Sequence, residues 1–225
     1  MKKLFVIAAL LLAGFAASAQ VNIGAGYIWN FWGTKDGSNK SGTLSMHGVY
    51  GGLSYNFDLY EGLGLAPGAY FNWASGVALD RNGKKQQETI AGITGRQGSS
   101  YMGLLFPLHL TYSMETGAGK AFVYLGPAFE YGLSLKMWEK FSGDNAKADI
   151  VGDNAFMKDD DTDVRPFNPF DVKLDVGFGY NWEWIQVNVG FDFGFLNRAK
   201  TSSNGNDGTI KTNANAVHAG VAFVF

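Results

Sequence analysis

From Val21 to the last residue, apolar and polar side chains alternate with a period of two, the signature of strands with two different faces. In 185–195 the odd positions are Ile185, Val187, Val189, Phe191, Phe193 and Phe195, and between them lie Gln186, Asn188, Gly190, Asp192 and Gly194. The segment before it sets Val172, Leu174, Val176, Phe178 and Tyr180 against Lys173, Asp175, Gly177 and Gly179. The pattern predicts eight strands, at about 21–32, 43–57, 63–77, 100–114, 121–136, 170–181, 185–196 and 215–225. The connections around 58–62, 115–120 and 182–184 are short. Those around 33–42, 78–99, 137–169 and 197–214 are long and rich in Gly, Asn, Asp, Ser and Lys. This alternation predicts an all-β fold, an eight-stranded antiparallel up-and-down transmembrane β-barrel with its long loops at one rim.

The start of the chain reads differently. Lys2 and Lys3 precede an apolar run from Leu4 to Phe15, and Ala17-Ser18-Ala19 makes a small-x-small cleavage site. Residues 1–19 are expected to be a cleaved secretory signal peptide and 20–225 the barrel domain, reached through the periplasm. Loss of the two lysines leaves 16 basic against 20 acidic residues, so the mature charge is −4. After this segment no apolar run is long enough for a membrane helix, which needs about 20 residues. A chain of this pattern that spans lipid must therefore close into a barrel, because hydrocarbon satisfies no open strand edge.

The rival fold is a secreted barrel or sandwich with the apolar stripe turned inward. The second stripe discriminates. It is mostly small, with Gly24, Gly26, Gly126, Gly177, Gly179, Gly190 and Gly220 on it and few charges. Small side chains suit the crowded axis of a narrow barrel, and bulky ones suit acyl tails. Tryptophan adds an independent signal: Trp29, Trp32, Trp73 and Trp138 fall near the long-loop strand ends, and Trp182 and Trp184 flank a short turn. These six are expected to form two interfacial girdles.

Composition narrows the chemistry. Charged residues are 17%, aromatics 15%, and cysteine is absent, so thiolate zinc sites, Fe–S clusters, disulfides and cysteine nucleophiles are excluded. The near balance of charge gives no footprint for nucleic acid.

With its signal peptide, eight alternating strands and terminal Val221-Ala222-Phe223-Val224-Phe225, the chain resembles the small bacterial outer-membrane barrels, of the OmpA/OmpX-like type and the PorT-like barrels of Bacteroidetes. The resemblance implies an outer-membrane location, contact with lipid and lipopolysaccharide, and recognition of Phe223 and Phe225 by the outer-membrane assembly machinery. No peptidoglycan-binding domain of the OmpA kind is expected after Phe225.

Eight strands leave an interior that side chains fill. His109, Glu130, Lys173, Asp175, Gln186, Asn188, Asp192 and His218 are the expected lumen polar network, because buried charges must pair. A two-residue turn at Trp182-Glu183 would set Lys173 opposite Asp192 and avoid facing Asp175 and Asp192, a like-charge pair. The network is read as a clasp holding the barrel closed; a gated proton or ion path is the alternative. Because small outer-membrane lipid A deacylases use His, hydroxyl and carboxylate groups, His109, Thr111 and Glu130 are a candidate catalytic set, but their parity turns them to the lumen, away from lipid. His47 has no evident partner, and three scattered histidines predict no metal site. No cofactor and no catalysis are expected. The 137–169 loop carries eight acidic residues against four basic ones. Its Asp159-Asp160-Asp161-Thr162-Asp163 run lacks the glycine of an EF-hand loop, Val164 standing in its place, and is expected to be a solvated face, with divalent bridging to lipopolysaccharide a minor use. Arg81, Lys84, Lys85 and Arg96 form a basic counterpart in 78–99. The expected role is structural or interactive: envelope integrity, adhesion, or accessory to a larger assembly through an extracellular or envelope partner. A narrow transport or secretion-accessory barrel is the alternative, and a lipid A hydrolase the remote one.

Overall fold

The structure, a computed structural model, describes residues 19–36, 39–90, 93–142, 147–158, 165–199 and 210–225. The signal segment and the Asp159–Asp163 run lie outside the described residues. Among the described residues, ten strands form one antiparallel sheet: β1 (Ala19–Asp36), β2 (Asn39–Tyr60), β3 (Leu63–Leu79), β4 (Gln87–Ile90), β5 (Ile93–Glu115), β6 (Lys120–Ser142), β7 (Lys147–Asn154), β8 (Phe170–Trp182), β9 (Ile185–Gly194) and β10 (Ile210–Val224). Eight of them close a ring in the order β1-β2-β3-β5-β6-β8-β9-β10 and back to β1. The closing seam pairs β1 with β10 from Asn22↔Val224 to Asp36↔Ile210. Closure leaves no strand edge within the ring, the condition lipid imposes.

The alternation in the sequence becomes alternation in space. Along β6, Phe122, Tyr124, Gly126, Ala128, Glu130 and Gly132 turn to the axis, while Val123, Leu125, Phe129, Tyr131 and Leu133 are 42–53% exposed. Lys173 and Asp192 are 1% and 0% exposed, whereas Phe193 is 44% exposed. A soluble barrel would show the reverse. So broad an apolar exterior is far larger than water tolerates on a monomer and matches acyl chains instead. At Met102/Gly103 the β5–β6 register shifts, and consecutive Ser134 and Leu135 are both buried. This bulge shifts β6 by one residue and brings Leu135 to the inner face.

The short turns carry the backbone conformations that hairpins need. Glu61 and Gly62 have φ of 42° and 84°, Gly117 has 73° and Glu183 has 43°. Glu183 shows that the last tight turn is Glu183-Trp184, with Trp182 paired to Ile185. The expected turn at Trp182-Glu183 is therefore one residue out, and Asp175, not Lys173, faces Asp192. The cause is the positive φ, which the chain places at Glu183.

The long connections are also more ordered than expected. β1 and β2 extend through most of 33–42, and β4 and β7 lie inside the segments expected to be loops. β5 and β6 are 23 residues each, while a tilted strand crosses lipid in about 9–11. Their surplus, Ile93 to Gln97 and Trp138 to Ser142, extends past the ring, whose β3–β5 ladder ends at Val77↔Gly98. There β4 pairs with β5 and β7 with β6. The result is a projecting four-stranded sheet, β4-β5-β6-β7, made largely of polar residues.

Candidate functional site

The lumen holds two layers. The upper layer, at the long-connection end, is a plug. Trp32, Met46, Ala74, Tyr101, Leu135, Phe156 and Ala214 form one buried cluster, with Leu44, Ala155 and Phe167 against it. Phe156 and Phe167 belong to the β7–β8 connection, folded back into the mouth. Arg198, from the β9–β10 connection, enters beside them. Its guanidinium lies 4.6 Å from the Trp32 ring, 5.2 Å from Phe156 and 5.8 Å from Tyr101, in cation–π contact. Its Nη2 donates to the Pro169 carbonyl at 2.8 Å and its Nε to the Asn168 carbonyl at 3.2 Å.

Below the rings lies an ionic cluster. Glu130 accepts from Arg198 Nη1 at 3.0 Å and from the Tyr101 hydroxyl at 2.6 Å, and Lys173 Nζ sits 3.0 Å from it. Lys173 also reaches Asp192 at 3.7 Å, diagonally, since its direct neighbour on β9 is Gly194. All four ionic side chains are buried from solvent. Asp171 accepts from the backbone N–H groups of Val172 and Leu196 at 2.8 and 3.1 Å, anchoring the β9 exit.

The lower layer is a polar cavity of about 80 Å³, room for roughly five waters. Tyr50, Tyr70, Tyr124, His109, Asp175, Asn188, Asp192 and His218 line its upper part, and Asn22, Asn56, Thr111, Ser113, Asn181 and Gln186 its part toward the short turns. His109 and His218, far apart in sequence, meet across the lumen at one carboxylate: His109 Nε2 is 2.8 Å from Asp175 Oδ2 and His218 Nε2 is 3.2 Å from Asp175 Oδ1. Two of the three histidines are thus brought together. Tyr124 packs on His109 with ring centroids 4.6 Å apart, and Tyr50 meets His218 edge-on at 5.7 Å while donating to Asn188 Oδ1 at 3.2 Å.

The hydrolase set does not assemble. Thr111 bonds Asn56 at 3.4 Å, His109 is held by Asp175, and Glu130 is occupied by Tyr101, Lys173 and Arg198. Outside the barrel, His47 has partners after all: the Tyr27 hydroxyl bonds its Nδ1, and its ring stacks on Trp29 at 5.6 Å and 7°. Trp29 Nε1 donates to Ser45 Oγ at 3.0 Å.

Two tryptophans leave the expected girdles. Trp32 is fully buried in the plug because it shares parity with Ile28 and Asn30, both inward. Trp138 stands on the projecting sheet, packed over Gly98 with Lys140 Nζ 5.3 Å from its ring. Trp29, Trp73, Trp182 and Trp184 are 39–55% exposed on the outer face, and Trp184 stacks on Phe223 at 5.7 Å. In single-tryptophan variants refolded into brominated lipid, Trp29, Trp73, Trp182 and Trp184 are expected to be quenched and Trp32 to keep its emission. Equal quenching of Trp32 would contradict the plug. Phe223 and Phe225 are also outward, 50% and 74% exposed.

A closed antiparallel ring with an apolar exterior, a charged interior and aromatic outer residues is an outer-membrane β-barrel. The chain matches the family described as outer membrane protein beta-barrel domain over residues 13–213, and it belongs to that family. No curated protein matches it. It is similar in structure to Ail, the attachment invasion locus protein of Yersinia pestis, at 11% sequence identity, covering 92% of this chain and 99% of that one, with a TM-score of 0.44. It is also similar to OprG from Pseudomonas aeruginosa, at 12% identity, 92% and 96% coverage and a TM-score of 0.43. Neisserial surface protein A aligns at 8% identity, 92% and 97% coverage and a TM-score of 0.40.

Proposed function

We propose that this barrel is a non-conducting outer-membrane protein whose role is interaction: envelope integrity, adhesion or support of a larger assembly, carried by the part that stands outside the lipid. The observation that carries this reading is the plug. Trp32, Tyr101 and Leu135 are 0% exposed, Phe156 is 5%, and Arg198 is locked among them. A lumen filled by packed rings and bonded charges offers solutes no path from one rim to the other.

The projecting sheet supplies a surface. Among the described residues, β7 is paired on one side only, to β6. Its Ile150 and Val151 are 57% and 61% exposed, above the level of lipid contact. An open edge with apolar side chains is the feature by which a strand from a partner adds to a sheet. Toward the membrane, Phe223 and Phe225 on the closing strand are the groups we assign to the assembly machinery, and residues 20–225 to the mature protein.

Planar lipid bilayers test the reading. The refolded protein is expected to give no stepwise conductance under applied voltage. Reproducible single-channel steps would overturn it and favour the narrow transport barrel.

A further inference from the structure

The lower layer has a charge problem that the clasp does not solve. Among the described residues, the buried ionic side chains are Glu130, Asp171, Asp175 and Asp192 against Lys173 and Arg198. Four carboxylates against two cations leave an excess of two negative charges when the histidines are neutral. The excess is concentrated where Asp175 and Asp192 face each other across β8 and β9. Facing like charges repel, and buried charges need compensation.

Asp192 is the less satisfied of the two. It is 0% exposed and borders the cavity, yet neither carboxylate oxygen accepts a hydrogen bond. Its nearest cationic groups, Lys173 and His218, stand off at 3.7 and 4.0 Å. One donor atom each from Asp175, Asp192 and His218 lie within 4.8 Å of one another. Ligands at 2.0–2.2 Å from a tetrahedral zinc ion sit roughly 3.3–3.6 Å apart. The three groups are therefore within a small side-chain adjustment of a coordination shell.

We infer that Asp175, Asp192 and His218 form a binding site for a first-row divalent cation such as Zn²⁺. The donor chemistry selects the class: one imidazole with two carboxylates suits these ions, whereas an all-oxygen shell would suit Ca²⁺ or Mg²⁺. Three protein ligands leave a coordination position toward the cavity, where water completes the shell. His109 acts as a positioning residue. Its Nε2 donates to Asp175 Oδ2, holding the other oxygen toward the ion, the usual arrangement of an outer-shell partner. A divalent ion also cancels the excess of two charges.

The way in is polar and acidic. The cavity shares Asn56, Ser113 and Asn181 with a second one at the short-turn rim, which carries Asp58, Glu61 and Glu115 against Lys120. The plug closes the other end, so ions enter from the side of the short turns. The site is independent of whether the projecting sheet binds a partner.

The test uses the full-length mature barrel, folded in detergent, stripped with chelator and equilibrated with Zn²⁺. Elemental analysis is expected to find one Zn²⁺ per chain, and Co²⁺ in its place to give the visible absorption of a nitrogen–oxygen shell. D192N and H218Q are each expected to weaken Zn²⁺ binding more than tenfold, and H109Q by about 10–100-fold. Folding of each variant is read from its gel mobility before and after boiling. A folded wild-type barrel that retains no stoichiometric Zn²⁺, or folded D192N and H218Q that bind it as tightly as wild type, overturns the site. If the variants do not fold, the Co²⁺ spectrum of the wild-type barrel decides, and a spectrum of hexaaqua cobalt overturns it.

Discussion

Replacing Glu130 with Ala is expected to destabilise the folded barrel by about 3–5 kcal/mol, the usual cost of removing one partner from a buried ion pair. The measurement is the urea midpoint for unfolding from lipid vesicles, read by tryptophan emission and gel mobility. The magnitude follows from what Glu130 holds. It accepts from the Tyr101 hydroxyl and Arg198 and lies 3.0 Å from Lys173, with no exposure of its side chain. Arg198 would keep its bonds to Pro169 and Asn168 and its three aromatic neighbours. Among the described residues, Lys173 would keep one ion-pair partner, Asp192, at 3.7 Å. Loss of the ammonium's nearest counter-charge, the one at 3.0 Å, therefore dominates.

A second substitution separates the pair from the scaffold. If Lys173 is the group left stranded, Lys173→Met should restore part of the stability lost in E130A, with an interaction energy of about 1–3 kcal/mol between the two positions. A cycle between Lys173 and Asp192 should give less, because their charges are farther apart and diagonal across the strands. Loss of under about 0.5 kcal/mol in E130A would place it with ordinary surface changes and end the idea that the charged layer holds the mouth closed.

Strand parity makes the barrel legible in the sequence alone. Odd positions of β9 had to be greasy and even ones polar, and no helix could explain that. Parity even contained the answer for Trp32, three residues from outward Trp29 and so on the other face; proximity to a strand end was the misleading cue. What parity cannot carry is the pairing of faces across the lumen. His109 on β5 and His218 on β10 converge on Asp175 because of the stagger of the strands around the ring, and the stagger depends on where each turn begins. One residue of difference at Glu183 exchanges Lys173 for Asp175 opposite Asp192. Arg198 was missed for another reason: it lies in a connection with no periodicity, and only the return of that connection into the mouth gives it partners. The interior is also less uniformly small than its glycines implied. Tyr50, Tyr70 and Tyr124 occupy the space that neighbouring glycines leave.

Those glycines set the second large effect. Gly48 and Gly76 face the lumen on β2 and β3, where the neighbouring backbone leaves no room for a Cβ. A methyl group on Gly48 would overlap the Trp73 carbonyl and the Ala74 backbone, and one on Gly76 the Ser45 carbonyl and the Met46 backbone. The obstructing atoms are backbone, so no side-chain rotation relieves the clash; the strands themselves would have to separate. The β2–β3 ladder runs through this point, with Met46 paired to Gly76 and Gly48 to Ala74. Separation there would break hydrogen bonds that hydrocarbon cannot replace. Gly48→Ala and Gly76→Ala are therefore each expected to abolish the boiling-sensitive, compact gel form. Gly51, on the same strand, supplies the control. A methyl there meets nothing closer than the Gly24 carbonyl at 3.6 Å, an ordinary contact, so Gly51→Ala should fold with unchanged mobility. If Gly76→Ala folded as well as Gly51→Ala, the close approach of β2 and β3 would not be what closes this side of the barrel.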